Sequence, residues 1–252
     1  KSNWRNVFVD NIIDHFEPMF DPTSKKNVFG KPFGTIDWLA RGQGFLEMGK
    51  DRDQLLKFDK TKFKRELLDL LEAVDSLDQA SGFELIHEAF DTSYRGQRVN
   101  ANNPIFYHSH NPDTAELHNF VKLFPNNQLI YTVRNPLQAL ESWILGGLED
   151  EIFMNSWMLA VIKFDSIFSV LNSPFNLSGA IGVRLEDIKL HPRKTMRAVS
   201  RFMGISDHEA LYKSEFCGLQ YWGPSSKQIG KVTGFDTKSI EQPIGRLFGN
   251  RD

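Results

Sequence analysis

Two stretches of the chain share one local order of residues, and that order limits the folds open to it. In the first, Ile105-Phe106-Tyr107 runs into His108-Ser109-His110, then Asn111-Pro112, then a helical pattern from Asp113 to Phe124. In the second, Leu129-Ile130-Tyr131-Thr132-Val133 ends in Arg134, then Asn135-Pro136, then a helical pattern to about Leu145. Each apolar run is too short for a buried helix and is rich in β-branched and aromatic residues, which predicts a buried strand. Asn is a good helix N-cap, and Pro fits the first helical position because its missing N–H has no partner there anyway. A third strand is expected from Ala180 to Leu185. After it His191-Pro192 opens a helix carrying Met196, Val199, Phe202 and Met203 at helical spacing, stopped by Gly204. Strands alternating with helices predict the α/β class, a mostly parallel sheet flanked by helices. In such folds ligands bind at the carboxyl ends of the strands, where His108, His110 and Arg134 stand.

The rest of the chain carries fewer signals. Residues 1 to about 62 read as irregular, with short apolar runs broken by Gly and Pro. From Lys64 the pattern turns helical, with Leu67, Leu68, Leu70, Leu71, Val74 and Leu77 along a face. A second helix is expected from Phe83 to Tyr94, a polar loop from Arg95 to Asn103, and a long apolar helix from Glu149 to about Leu171. No period of roughly 20–50 residues runs through the chain, and no segment is of low complexity. The 252 residues, 21 of them Phe, suffice for a single Phe-rich domain over 1–252.

Charge and cysteine content exclude several classes. Lys+Arg is 30 and Asp+Glu is 32, a formal net charge of −2, which argues against a nucleic-acid coat but leaves room for a local anion pocket. One cysteine, Cys217, cannot build an internal disulfide or a Cys-based zinc cluster, and we read it as a small apolar residue. No basic-then-apolar leader stands at Lys1 and no stretch reads as a membrane span, so the expected setting is cytoplasmic. Gly44-Phe45-Leu46-Glu47-Met48-Gly49-Lys50-Asp51 has the spacing of a Walker phosphate loop. Asp51 replaces the required Ser/Thr and Glu47 would repel phosphate, so we reject that reading. Neither Gly-x-Ser-x-Gly nor Gly-x-Gly-x-x-Gly occurs, so hydrolase and hydride-transfer chemistry lack support.

One candidate is an anion site. A helix N-terminus beside Arg134 offers N–H groups and partial positive charge, and a guanidinium grips a phosphate through two parallel hydrogen bonds. Ser142, two helical turns on, points toward the same side and can donate a hydroxyl; the bland alternative is a surface Arg and an ordinary helical Ser. His108 and His110 share a strand face, which permits a metal pair, but no third ligand is placed nearby, so no metal is expected. A general base is the better use of an imidazole, and satisfied structural histidines are the competing reading. The aromatic segments around Trp38, Phe45 and Trp222 read as core first and acceptor lining second.

At this point the residues resemble a known family. "FPNNQLIYTVRNPLQALESW" (Phe124 to Trp143) is similar to the second nucleotide-binding motif of sulfotransferases that use 3′-phosphoadenosine 5′-phosphosulfate (PAPS). There an apolar strand ends in Arg, and a Ser eight residues later joins it on the donor's 3′-phosphate; Arg134 and Ser142 match. "IFYHSHNP" resembles the upstream segment whose His is the catalytic base, which maps to His110, with His108 where many members have Lys. "VRLEDIKLHPRKTMRAVSRFMGI" and "GFDTKSIEQPIGRLF" resemble two later segments, and the resemblance covers roughly residues 80–252. It implies a P-loop-type sulfotransferase architecture and sulfuryl transfer from PAPS to a small-molecule or glycan acceptor's hydroxyl or amine, with no metal. His110 and His108 would be catalytic, Arg134 and Ser142 would hold the donor, and Lys227 and Lys231 would lie in a basic loop over the nucleotide. The family's first phosphate loop has no counterpart in the chain. We therefore expect it upstream of Lys1, and expect a chain incomplete at its N-terminus and short of a closing helix at its C-terminus. Two alternatives stay open: a P-loop kinase-like nucleotide enzyme, and a non-catalytic descendant that binds a nucleotide or a partner.

Overall fold

The computed structural model describes residues 4–21, 47–96, 103–107, 114–149 and 179–222, with positions 235, 237, 240–241 and 244–245. The chain divides into two compact units, Lys1–Tyr107 with Lys213–Gly234 and His108–Tyr212 with Phe235–Asp252.

The first unit is helical. It holds α1 (Trp4–His15), the single turn α2 (Glu17–Phe20), α3 (Lys60–Glu72) and α4 (Gln79–Arg95). The Asp59 side chain caps α3 by accepting from the Lys62 N–H at 2.9 Å, and Asp78 caps α4 through Ser81 N–H at 2.8 Å. In α3, Phe63, Leu67 and Leu71 recur four apart and are fully buried, a single apolar stripe with charge around it. Val9 and Ile13 of α1, Phe20, Met48, Leu56, Phe58 and Ala89 complete the core. The Phe63 ring lies 5.1 Å from that of Phe20 and 4.4 Å from that of Phe90, so phenylalanines do form the heart of this unit. Arg5 reaches from α1 to the end of α3 and donates to the Leu71 and Val74 carbonyls at 2.8 and 2.6 Å. A cation suits the carbonyl end of a helix, and here it adds to the Val74 N–H already on the Leu71 carbonyl.

This unit corrects two expectations. The first 62 residues are not irregular throughout, since α1 and α2 fall within them. Val, Phe, Ile and Asn give α1 a low intrinsic helix propensity, and burial of Val9 and Ile13 against α3 overrides it. Ile105-Phe106-Tyr107 is neither strand nor buried; Phe106 is 66% exposed, and Tyr107 meets the Phe83 ring edge-on at 5.5 Å. Among the described residues no strand pairs with it, and aromatic content alone does not bury a segment. A short hairpin pairs Glu215–Phe216 with Leu219–Gln220. Its turn residues, Cys217 and Gly218, both have positive φ (50° and 73°), and the Cys217 carbonyl accepts from the Tyr94 hydroxyl. Burial pushes the Cys217 thiol up, and the thiol packs against the core as the apolar residue it was read to be. Glu47–Asp51 leads into a tight turn closed by Met48–Gln54 pairing, with no helix after Lys50 as a phosphate loop would need.

The second unit mixes helix and strand. Its elements run α5 (Thr114–Leu123), β1 (Leu129–Val133), α6 (Pro136–Glu149), β2 (Ala180–Arg184), α7 (Leu185–Leu190) and α8 (Pro192–Met203), then a 3₁₀ turn over Glu209–Tyr212. β1 and β2 pair in parallel from Leu129↔Ala180 to Val133↔Arg184. This is a small parallel sheet of two strands flanked by helices, compatible with the α/β class. Both strands, α5 and α8 fall within a residue or two of the expected limits. α8 closes as predicted at Gly204, left-handed at φ 67°, with Gly204 N–H on Arg201 and Ile205 N–H on Ser200. The apolar run from Glu149 to Leu171 lies outside the described residues, apart from Glu149 itself. Among the described residues no helix is long and apolar enough to cross a membrane.

Because Phe63 is fully buried and touches two other rings, Phe63→Ala should cost about 3–5 kcal/mol. Urea unfolding measures it, and a loss under about 1 kcal/mol would show that the first unit is not centred on this ring.

Candidate functional site

Arg134 follows the last residue of β1, and Arg184 is the last residue of β2, so the carboxyl ends of the two parallel strands lie side by side. Parallel pairing sets this end of the sheet, and a short link turns the chain at once into α6. Asn135 makes that turn. Its Oδ1 accepts from the Leu137 N–H at 3.0 Å and the Gln138 N–H at 3.2 Å, while its carbonyl accepts from Ala139 at 3.0 Å. Pro136 has no N–H to offer.

This corrects the expectation of open N–H groups at the start of α6. The first-turn donors are already taken by Asn135, so any anion here would be held by side chains. The capping residue is itself held. Its own N–H donates to Glu186 Oε1 at 3.0 Å. Glu186 is the second residue of α7, only 15% exposed, and its Oε2 lies 3.7 Å from Arg184 Nε. Burial pushes the Glu186 carboxyl up. The Asn135 N–H and the positive charges of Arg184 and Arg134 outweigh that and hold it below the usual carboxylate range.

Ser142 is half-buried on α6. Seven positions past Asn135 amount to nearly two turns, so Ser142 shares the face of the cap about 10 Å along the helix. The neighbouring Glu141 is buried and accepts from the Gly245 N–H at 2.6 Å, and Gln138 donates to the Ile240 carbonyl at 3.4 Å. Ile240 and Gly245 thus lie beside α6. Of the predicted site residues, Arg134 and Ser142 stand on one strand–helix unit. His108, His110, Lys227 and Lys231 lie outside the described residues, as do Trp38 and Phe45. Trp222 belongs to the first unit, where its Nε1 donates to the Gly49 carbonyl at 2.6 Å and its ring faces Arg52. These are structural contacts, and Trp222 is not part of the buried core cluster. Among the described residues no cluster of three His, Cys, Asp or Glu could hold a metal.

Glu186 was given no role by sequence reasoning. The Glu-Asp pair after β2 was visible, but only the register Val133↔Arg184 brings it to the end of β1. The chain matches no known family model, no curated protein and no solved structure.

Removing the cap with Asn135→Ala should lower stability by about 0.5–2 kcal/mol in thermal melts; no change would mean that α6 does not depend on it. Glu186 also fixes a pH dependence. A carboxyl held below its ordinary value in the fold adds stability that is full above its unfolded value and lost as pH falls through the folded one. The acid limb below about pH 4.3 should therefore flatten in Glu186→Gln, and an unchanged limb would contradict the site electrostatics.

Proposed function

We propose that the chain is a sulfotransferase of the P-loop-type α/β architecture that moves a sulfuryl group from PAPS to an acceptor hydroxyl or amine. One observation supports it above the others. Arg134 stands at the carboxyl end of a strand in a parallel pair, directly before an Asn-capped helix that carries Ser142 on the capping face. In an open α/β sheet that is where a ligand binds. In this reading the Arg134 guanidinium and the Ser142 hydroxyl donate to the donor's 3′-phosphate, and the filled helix start leaves that work to the two side chains.

The reaction is an in-line displacement at sulfur. The acceptor oxygen or nitrogen bonds to sulfur while the bond from sulfur to the bridging oxygen of the 5′-phosphate breaks. The electron pair leaves on that oxygen as 3′,5′-adenosine bisphosphate, and the acceptor's proton passes to a ring nitrogen of His110. Charge spreads over the moving group's oxygens, so catalysis depends mainly on positioning and on nearby positive charge. His108 serves that charge or a hydrogen bond beside the base.

Thermal shift separates this reading from the other nucleotide chemistries. Stabilisation by 3′,5′-adenosine bisphosphate without ATP–Mg²⁺ is the expected result; stabilisation by ATP–Mg²⁺ alone would favour a kinase-like enzyme. Arg134→Ala should weaken the bisphosphate by about 1.5–3 kcal/mol, and an unchanged affinity would remove Arg134 from the site. His110→Ala should slow turnover of PAPS by about 10²–10⁴-fold with donor binding nearly intact. A fully active variant would place the base elsewhere.

A further inference from the structure

We infer that Glu186 is the positioning residue for Arg134 at the donor's 3′-phosphate, holding the segment that carries this arginine from the neighbouring strand end; the inference rests on the sulfotransferase reading above.

Three observations meet at this carboxylate. Its Oε1 accepts from the N–H of Asn135, the residue directly after Arg134, so one bond fixes the backbone of the arginine's neighbour and the cap of α6. Its Oε2 is buried without a hydrogen bond among the described residues and lies 3.7 Å from Arg184 Nε. Arg134 also contributes favourably to its charge. A buried carboxylate is costly unless paired, and here it has the Asn135 N–H and the Arg184 guanidinium as neighbours, with the charge of Arg134 adding to theirs. The in-register pairing of β1 with β2 brings it there, since Val133 faces Arg184. A guanidinium on a free strand end would sample many rotamers, and the bidentate grip on a phosphate requires one. Anchoring the chain one residue away narrows that choice before the ligand arrives.

The opposite role is physically available. A negative charge beside Arg134 also repels a phosphate, so a carboxylate that only competed for the arginine would weaken anion binding, and its removal would strengthen it. The sign of the effect therefore decides.

The test is calorimetric titration of the full chain with 3′,5′-adenosine bisphosphate and with adenosine 5′-monophosphate, which lacks the 3′-phosphate. The wild type, Glu186→Gln, Glu186→Ala, Arg134→Ala and the Arg134→Ala/Glu186→Ala double variant are compared. Glu186→Ala should weaken the bisphosphate about tenfold, the scale of one lost charged hydrogen bond, with the monophosphate unchanged. Glu186→Gln keeps an acceptor for the Asn135 N–H and should recover part of the loss. In the Arg134→Ala background the Glu186 change should have no further effect on the bisphosphate. A purely structural role would move both ligands together and persist in the double variant, and that result overturns the inference. Tighter bisphosphate binding in Glu186→Gln overturns it as well. If the wild type fails to distinguish the two ligands, the sulfotransferase reading itself fails, and the inference with it. Should Glu186→Ala not fold, the Gln variant decides alone, with a bisphosphate-specific loss supporting the inference and no loss or a gain overturning it.

Discussion

The parallel pairing of β1 with β2, closed at its carboxyl end by the Asn135 N–H on Glu186, is the constraint on which the second unit depends. The register alone brings two strand ends to the same edge. The hydrogen bond at 3.0 Å then joins the start of α6 to the start of α7, so the two helices leave the sheet from a fixed point. Everything proposed for the site follows from it. Arg134 has a defined origin because its neighbour is held, and Ser142 has a defined face because the cap sets the phase of its helix. The carboxylate that makes the link is half of the local charge balance, and it is stabilised in its ionised form by the groups it organises.

The helix start is the point where local physics redirects the chemistry. An anion at a helix N-terminus normally relies on backbone N–H groups. Here Asn135 consumes them, which stabilises α6 and, in the proposed reading, leaves phosphate to the guanidinium and the hydroxyl. Side-chain recognition of this kind is directional, because a guanidinium matches a phosphate in a planar fork while a cluster of N–H groups accepts many anions. The first unit contributes differently. Its core is a contiguous set of mostly Phe, Leu, Val and Ile side chains, Asp59 and Asp78 cap two helix starts, and Arg5 lies at the carbonyl end of α3.

Legibility in the sequence tracked how local the signal was. Leu129–Val133, Ala180–Arg184 and the Pro192–Met203 helix could be read because strand composition, a Pro start and a Gly stop are all local. The places of Arg134 past a strand end and of Ser142 on the helix after it could be read because that order is local too. Trp4–His15 could not, since its β-branched and aromatic residues favour extended chain, and only the buried contact of Val9 and Ile13 with a helix some sixty residues away makes it helical. Ile105–Tyr107 failed in the opposite sense: its composition suits a strand, but a strand needs a paired neighbour that composition does not supply. Glu186 was hidden because its role arises from a register between strands about fifty residues apart.

The most direct measurement of the central claim is the ratio of the wild-type chain's affinities for 3′,5′-adenosine bisphosphate and adenosine 5′-monophosphate at one salt concentration. If Arg134 and Ser142 read a 3′-phosphate, the bisphosphate binds at least about tenfold more tightly, as one charged hydrogen-bonded contact implies. A ratio near one, with both ligands bound equally or not at all, would contradict it.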